Sequence, residues 1–319
     1  MLDYLACWLR VTSLMPEMPW LQSAYEHLLG EVRANRLAHA LLIQGDTGIG
    51  IKKLAEQFLN YRLCHQPADQ ACGQCKSCLL LEAGTHPDML VIEPSGAADM
   101  IKVEQIREAV HFLSQTPQIS DWKVVCVSDA HRMNINSANA LLKILEEPPG
   151  NSLLILVSDR PQLLIPTVRS RCRKLEVGRP SESETRSFCL ESGVSEAQFA
   201  ELSPVLGMRP VKISSWLDEE QYPQWKSLQE GLSEFKQNRL TASELTESLK
   251  DLNLLDLLEW LMQLVASEAK SAVVRDLGGR WPTFYEWLAS SRLLVERGGN
   301  PNRQLLLDEC FFRWKAAAQ

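Results

Sequence analysis

The chain has 319 residues with 33 Lys+Arg against 40 Asp+Glu, a formal net charge of −7 at pH 7. Domains of ~150 residues make about two the expectation, with chain enough to bury a large core. A 45% hydrophobic, 23% charged composition excludes wholesale disorder, collagen and coiled-coil filaments, and the acidic balance argues against a protein that grips nucleic acid by bulk charge.

The opening segment, MLDYLACWLRVTSLMPEMPW, is mildly apolar but lacks a basic start and a small-residue cleavage site, so it reads as neither signal peptide nor anchor. Met15 and Met18 are candidate later starts, which makes residues 1–14 a candidate upstream extension. No apolar run reaches the ~18–20 residues of a membrane helix. From Ala40 onward short β-type runs alternate with helical stretches. The runs are Ala40–Gln44, Met89–Glu93, Lys123–Val127, Leu153–Val157 and Lys174–Val177. Between them, Ile51–Leu63, Val103–Thr116 and Ser137–Glu147 repeat apolar residues at three- and four-residue spacing, with Val103, Ile106, Val110 and Leu113 marking one face. Pro148-Pro149-Gly150 stops the Ser137 helix just before the next strand. This alternation predicts an α/β fold whose parallel sheet is covered on both sides.

After about residue 178 the strand signal disappears. Gly178-Arg179-Pro180 reads as a hinge, followed by helices over Ser181–Gly193 and from Ser195, and a break at Gly207–Pro210. From about Tyr222 the chain reads as all-α, carrying Trp225, Trp260, Trp281, Trp287 and Trp314, with Leu254, Leu255, Leu258 and Leu261 at helical spacing in Leu252–Leu264. Residues 1–175 hold 17 basic and 18 acidic side chains and residues 176–319 hold 16 and 22, so the helical half carries −6 of the −7.

Two patterns in the α/β half carry chemistry. In ALLIQ-GDTGIG-IKKLAEQFL a strand, a glycine-rich turn and a helix come in the order a phosphate-binding loop needs, since glycines let backbone N–H groups curl around phosphates at a helix N-terminus. Gly45, Gly48 and Gly50 are the candidate cradle. Ile51, however, stands where a lysine should reach the β/γ-phosphates, and Lys52 stands where a hydroxyl residue should hold Mg²⁺. One residue along a helix turns a side chain by roughly 100°, so Lys52 is not an obvious substitute. Asp129, at the end of the KVVCV strand, occupies the place of a Mg²⁺-supporting carboxylate, but its neighbour is Ala130 rather than a water-activating glutamate. The pattern reads as a degenerate nucleotide site with weak or absent ATP binding; an ordinary glycine turn is the plainer alternative.

The second pattern is Cys64-x7-Cys72-x2-Cys75-x2-Cys78, four of the nine cysteines within fifteen residues. Four close thiolates suit a tetrahedral structural Zn²⁺ that leaves no open position for catalysis. An iron–sulfur cluster is one rival, although Leu79-Leu80-Leu81 stands where its fourth ligand is expected, and a redox switch or free thiols is another. His65 and His86 are surplus to a four-cysteine site, and His86 is expected to shape the turn before the second strand. The remaining cysteines are scattered, which predicts a reducing cytoplasm rather than a disulfide scaffold.

The stretches HALLIQGDTGIG (39–50), CHQPADQACGQCKSC (64–78), AGTHPD (83–88), ANALLKILEEPP (138–149), TVRSRC (167–172) and NRQLLLDE (302–309) together resemble the AAA+ clamp-loader family of bacterial DNA polymerase III, in its delta-prime branch. The resemblance spans nearly the whole chain. It implies a RecA-like AAA+ core over 1–177 with an inserted zinc module at 64–78, a helical lid over 178–220 and a helical collar over 221–319. It also implies a pentameric ring with gamma/tau and delta subunits that places the sliding beta clamp on primer-template DNA during replication. The delta-prime branch is a stator within the polymerase III holoenzyme and hydrolyses nothing itself. It supplies an arginine finger, which the Ser170-Arg171-Cys172 triplet assigns to Arg171, with Arg169 as a second contact. From the residues alone, Arg169, Arg171, Arg173 and Lys174 read equally as a solvated basic edge. Where ATP-binding relatives carry a sensor arginine after the lid glycine, this chain has Pro210.

Two other functions stay open on the residues alone. One is an active gamma/tau-like ATPase in which Lys52 or Lys53 replaces the missing lysine. The other is a zinc-dependent nucleic-acid module, disfavoured because the cluster holds only Lys76 as a basic residue.

Overall fold

A computed structural model describes residues 18–95, 100–218, 221–274, 280–296 and 299–318; the candidate extension 1–14, with Met15, lies outside the described residues. The described residues fall into two compact units. One runs to Phe188 and takes in Met208–Val211; the other comprises Cys189–Gly207 and the chain from Lys212 onward.

The first unit has the order α1 (Pro19–Arg33), β1 (Ala40–Gln44), α2 (Ile51–Leu63), α3 (Lys76–Glu82), β2 (Met89–Ile92), α4 (Val103–Leu113), β3 (Lys123–Val127), α5 (Ile135–Glu146), β4 (Ser152–Ser158), α6 (Pro166–Arg169) and β5 (Arg173–Glu176), and then enters α7 (Glu182–Glu191). The strands form one parallel sheet in the order β2-β3-β4-β1-β5, with Leu42 opposite Leu156 and Val125 opposite Leu154. Alternate residues serve opposite faces. Leu41, Ile43, Val124, Cys126, Ile155 and Val157 pack with α1 and α2, while Ala40, Leu42, Val125, Val127, Leu154 and Leu156 pack with α4 and α5. All of these twelve are buried, as a parallel sheet covered on both sides requires.

The five expected strands are the five found among the described residues, with ends moved by at most one residue. The helix expected over Val103–Thr116 closes at Leu113, where the Ser114 N–H bonds back to Val110 and His111 and Pro117 lies ahead. Helix α1 is not among the elements expected from the sequence, yet Leu21, Ala24, Tyr25, Leu28 and Leu29 form its buried stripe at helical spacing.

At the amino end of β3 a polar cluster fixes the turn before β2. Asp88, fully buried, accepts the N–H groups of Gln118 (2.7 Å), Ile119 (2.7 Å) and Ser120 (2.9 Å), and Lys123 Nζ lies 3.1 Å away. Lys123 is itself buried; its ammonium also donates to the Pro87 carbonyl at 2.8 Å and sits 4.2 Å from the centre of the Phe112 ring. His86 shapes the same turn: its Nδ1 accepts the Asp88 N–H at 3.1 Å, so Nε2 carries the proton toward Ser77 Oγ at 2.9 Å. Ser77 in turn donates to the Leu63 carbonyl at 2.6 Å, joining α3 to the end of α2.

Among the described residues of the second unit the only regular elements are helices. After the last turn of α7 it contains α8 (Glu196–Leu206), α9 (Pro210–Asp218, whose first two residues belong to the first unit), α10 (Gln221–Lys236), α11 (Ala242–Ser248), α12 (Leu254–Val274), α13 (Trp281–Glu296) and α14 (Arg303–Ala318). Ser195 starts α8 in a capping box with Gln198, and Gly207 ends it at φ +68°. Trp216, Trp225 and Trp260 pack together with ring centres 5.2–6.1 Å apart, and Trp281, Phe284 and Trp314 make a second aromatic group. The buried stripe of α12 is Leu257, Leu258, Leu261 and Val265; Leu254 and Leu255 of the expected stripe are only half-buried.

Burial works to raise the Asp88 pKa, but the three backbone N–H bonds and Lys123 outweigh it and bring it down to about 2. Its folded pKa lies below the unfolded one, so the stabilisation is complete above about pH 4 and drains away as the pH falls toward 2. Asp88→Ala leaves the Lys123 charge buried and unpaired, and is expected to destabilise the first unit by about 3–5 kcal/mol in denaturant melts at pH 7. The deficit relative to the parent chain should shrink between about pH 4 and 2.

Candidate functional site

Three groups of residues carry the candidate chemistry, and the first lies at the carboxyl ends of the strands. Between β1 and α2, Gly48 and Gly50 take φ values of +78° and +91°. A Cβ on Gly50 would lie 3.0 Å from Met18 Sδ in a backbone region side chains rarely adopt, so glycine is required there. Gly45 is needed for close approach, because a Cβ would meet Ile51 Cγ2 at 2.9 Å. The loop carbonyls are engaged from outside: Trp20 Nε1 donates to Ile49 O at 2.7 Å and the Val211 N–H to Gly48 O at 3.0 Å. Arg179 pairs with Asp46 on the loop's flank.

The residue in the phosphate-lysine position, Ile51, is buried in the core shared by α1, α2 and the sheet. Lys52 turns its ammonium onto Asp129, 2.7 Å from Oδ2, while Lys53 lies 3.4 Å from the buried Glu56. Burial pushes the Glu56 carboxyl up to about 7, against the pull of Lys53. Asp129 itself takes φ +48°, just beyond β3. Gly45, Gly48, Gly50 and Asp129 therefore stand around one end of the sheet, and the fold adds Thr47, His131 and Asp159, which sequence reasoning missed. Thr47 Oγ1 donates to Asp159, and His131 Nδ1 lies 3.4 Å from the same carboxyl group. Their separation of up to 112 positions leaves no local signal.

The second group is the cysteine cluster. Cys64 caps the end of α2, Cys75 caps the start of α3 and Cys78 lies within α3, so two helices hold three of the four cysteines. The four sulfurs lie within 4.8 Å of one another, with Cys64–Cys75 and Cys72–Cys78 each 3.9 Å apart. A tetrahedral ion with arms of about 2.3 Å to sulfur sets neighbouring sulfurs about 3.8 Å apart, so the donor set fits a thiophilic metal. Backbone N–H groups point at the sulfurs: Gln66 and Cys72 at Cys64, Cys75 at Cys72, and Cys78 at Cys75, all at 3.3–3.5 Å. The N–H groups of Gln74 and Cys75 bring the Cys72 thiol down to about 6, whereas burial raises Cys64 and Cys78. His65 and His86 stand outside the set; their ring nitrogens meet the Ile119 carbonyl and the Ser77 and Asp88 partners. Cys126, Cys172, Cys189 and Cys310 are buried singly, and no described cysteine is in a disulfide.

Arg171 forms the third group, on the turn between α6 and β5. Its guanidinium reaches Glu146 at the end of α5, with Nη2 2.7 Å and Nε 2.9 Å from Oε1, and Nη1 donates to the Thr167 carbonyl at 3.0 Å. Both side chains are open to solvent. Glu146 was not foreseen, although it lies in the ILEEPP stretch. Arg169 is half-buried and donates to the Pro161 carbonyl, and Arg173 pairs with Glu31 at 3.2 Å.

A parallel sheet of this order, with a glycine loop after β1 and an acidic residue beyond β3, followed in the chain by a helical unit, defines a RecA-like α/β fold. A Thermotoga maritima protein described as gamma-subunit-related in DNA polymerase III shares the fold, with a TM-score of 0.50 at 19% identity over 92% of this chain and 99% of its own. The family model described as "DNA polymerase III, delta subunit" matches residues 20–181. The DNA polymerase III subunit delta' of Pseudomonas aeruginosa is 34% identical over 93% of this chain and 96% of its own length. The Escherichia coli delta' subunit is 39% identical over about half of each chain, 51% and 49%. The chain belongs to the delta-prime family of DNA polymerase III subunits.

The cluster generates a direct test. Protein as purified should carry about one thiolate-bound metal ion per chain by elemental analysis. Cys78→Ser removes a ligand held by α3, and is expected to weaken metal retention against a chelator at least about tenfold and to lower the melting temperature of the first unit.

Proposed function

We propose that this chain is the non-hydrolysing stator of a DNA polymerase III clamp loader. It helps to place the sliding beta clamp on primer-template DNA during replication, in a pentameric ring with gamma/tau and delta subunits. The observation that carries this reading is the state of the phosphate loop. With Ile51 buried and the Lys52 ammonium on Asp129, neither position that follows Gly50 offers a cation aimed at a β/γ-phosphate or a hydroxyl to hold Mg²⁺. Such a subunit contributes to the holoenzyme by what it presents to its neighbours.

Arg171 is what it presents. An arginine offered across an interface neutralises charge developing on a neighbour's γ-phosphate, an effect worth about 10³–10⁵ in GTPases. In this reading the guanidinium exchanges the Glu146 carboxylate for the neighbour's nucleotide, and the exposure of both side chains permits that exchange. Arg169, bound to the Pro161 carbonyl, steadies the turn.

The remaining assignments belong to the same reading. Residues 1–177 act as the AAA+ core, 178–220 as a lid and 221–319 as a collar. Exposed Tyr285, Leu293 and Leu294 on α13 and Leu305 and Phe312 on α14 support the collar's role in association. The metal of Cys64, Cys72, Cys75 and Cys78 is a structural Zn²⁺, and the protein works in the bacterial cytoplasm. No described helix is long and apolar enough to cross a membrane.

Arg171→Ala, assembled with its gamma/tau and delta partners, is expected to lower DNA-stimulated ATPase and to slow clamp loading by at least about tenfold. The isolated parent chain should hydrolyse no ATP above background. Turnover by the clean, isolated chain would instead identify it as an active gamma/tau-like ATPase.

A further inference from the structure

The turn after β1 presents a local conflict. The first turn of α2 contains Lys52 and Lys53 and no acidic residue, although the amino end of a helix favours negative charge. A cation placed against local preference needs a tertiary reason. For Lys52 that reason is Asp129, whose Oδ2 lies 2.7 Å from its Nζ.

Asp129 is not alone. One ligand atom each from Asp129, His131 and Asp159 lies within 4.8 Å of the other two. Asp159 receives Thr47 Oγ1, and His131 Nδ1 lies 3.2 Å from Ser158 Oγ and 3.4 Å from Asp159 Oδ1. Two carboxyl groups at this range repel one another when both are ionised, and a cation between or beside them relieves the repulsion. In a nucleotide-binding loop Mg²⁺ would meet that demand with help from a hydroxyl residue at the position of Lys52. Here the hydroxyl is gone, Ile51 is buried, and the residues do not fit a Mg²⁺–nucleotide complex.

We propose that the Lys52 ammonium is the built-in counter-ion of this site, taking the place of a divalent cation and masking a latent metal pocket on Asp129, His131 and Asp159. The lysine is tethered to α2, so no ion need be recruited from solution, and its charge is present whether or not a nucleotide is near. Removing the lysine, while leaving the acidic groups, turns the masked cluster into an open cation site. This inference rests on the reading of the loop as degenerate, but it concerns metal binding in the absence of nucleotide.

The test titrates Mn²⁺ alone into the full chain and tracks free Mn²⁺ by electron paramagnetic resonance. The parent chain and Lys52→Arg, which keeps the cation, are expected to show no saturable binding at this site. Lys52→Ser should bind Mn²⁺ at least tenfold more tightly than the parent, and the gain should vanish in Lys52→Ser/Asp129→Asn. Lys52→Gln provides the same opening if serine unsettles α2, and circular dichroism verifies that each variant is folded. Mn²⁺ binding by the parent as tight as by Lys52→Ser overturns the proposal. So does a folded Lys52→Ser and Lys52→Gln pair that gains nothing, or a gain that survives Asp129→Asn. Because no nucleotide is present, these failures leave the stator reading standing; that reading is judged separately by ATP turnover of the parent chain.

Discussion

Burial of the parallel sheet on both faces is the constraint on which the rest of the first unit depends. The residues of β3 and β4 are buried along their whole length, and only Gln44 of β1 reaches the half-buried class. Such strands cannot slide in register without exposing apolar side chains or burying unpaired backbone, so their ends are fixed points. With β3, β4 and β1 adjacent in the sheet, the segments leaving their carboxyl ends must converge: Asp129 after β3, Asp159 after β4, and the glycine loop with Lys52 after β1. Residues over a hundred positions apart meet because three strands end at one edge.

Strand β3 also shows how differently two ion pairs serve the same element. At its start Lys123 and Asp88 are sealed from water and saturated by backbone N–H groups, a carbonyl and an aromatic face. That pair defines a turn, and its energy is large only in the sense that neither partner can be removed alone. Beyond its end Lys52 and Asp129 stay partly in solvent, where an ion pair contributes little to stability. What the pair does is join the first turn of α2 to the segment leaving β3, beside the glycine loop. The cysteine cluster is coupled to the buried pair through Ser77 and His86, so the cluster and the start of β2 share one hydrogen-bonded network.

The sequence reading recovered most of the first unit because its strands are short apolar runs bounded by glycine, proline and charge. It found β1, α2 and β3 to the residue, since ALLIQ, IKKLAEQFLNYRL and KVVCV are sharply delimited. It passed over α1, whose apolar stripe is diluted by polar neighbours, and α3, whose cysteines drew attention to spacing rather than to helical pattern. It treated Lys123 as one residue of a hydrophobic strand, because nothing local announces a buried ammonium. The clustering of Cys64, Cys72, Cys75 and Cys78 was legible from spacing, and the four sulfurs do converge. Glu146 was not legible as the partner of Arg171, because a side chain's choice among nearby cations depends on where α5 ends relative to α6.

By itself, then, the sequence determined the glycine loop with Ile51 and Lys52 after it, the four-cysteine constellation and the division into an α/β half and a helical half. Residue type and short-range spacing suffice for these, because each depends on the chemistry of a single side chain or on a pattern within one element. Only the tertiary structure decided where the displaced lysine goes, which carboxylates it answers, and what holds Arg171 on its turn. Those are contacts between the ends of different elements, and their geometry is set by the packing of the sheet and helices as a whole.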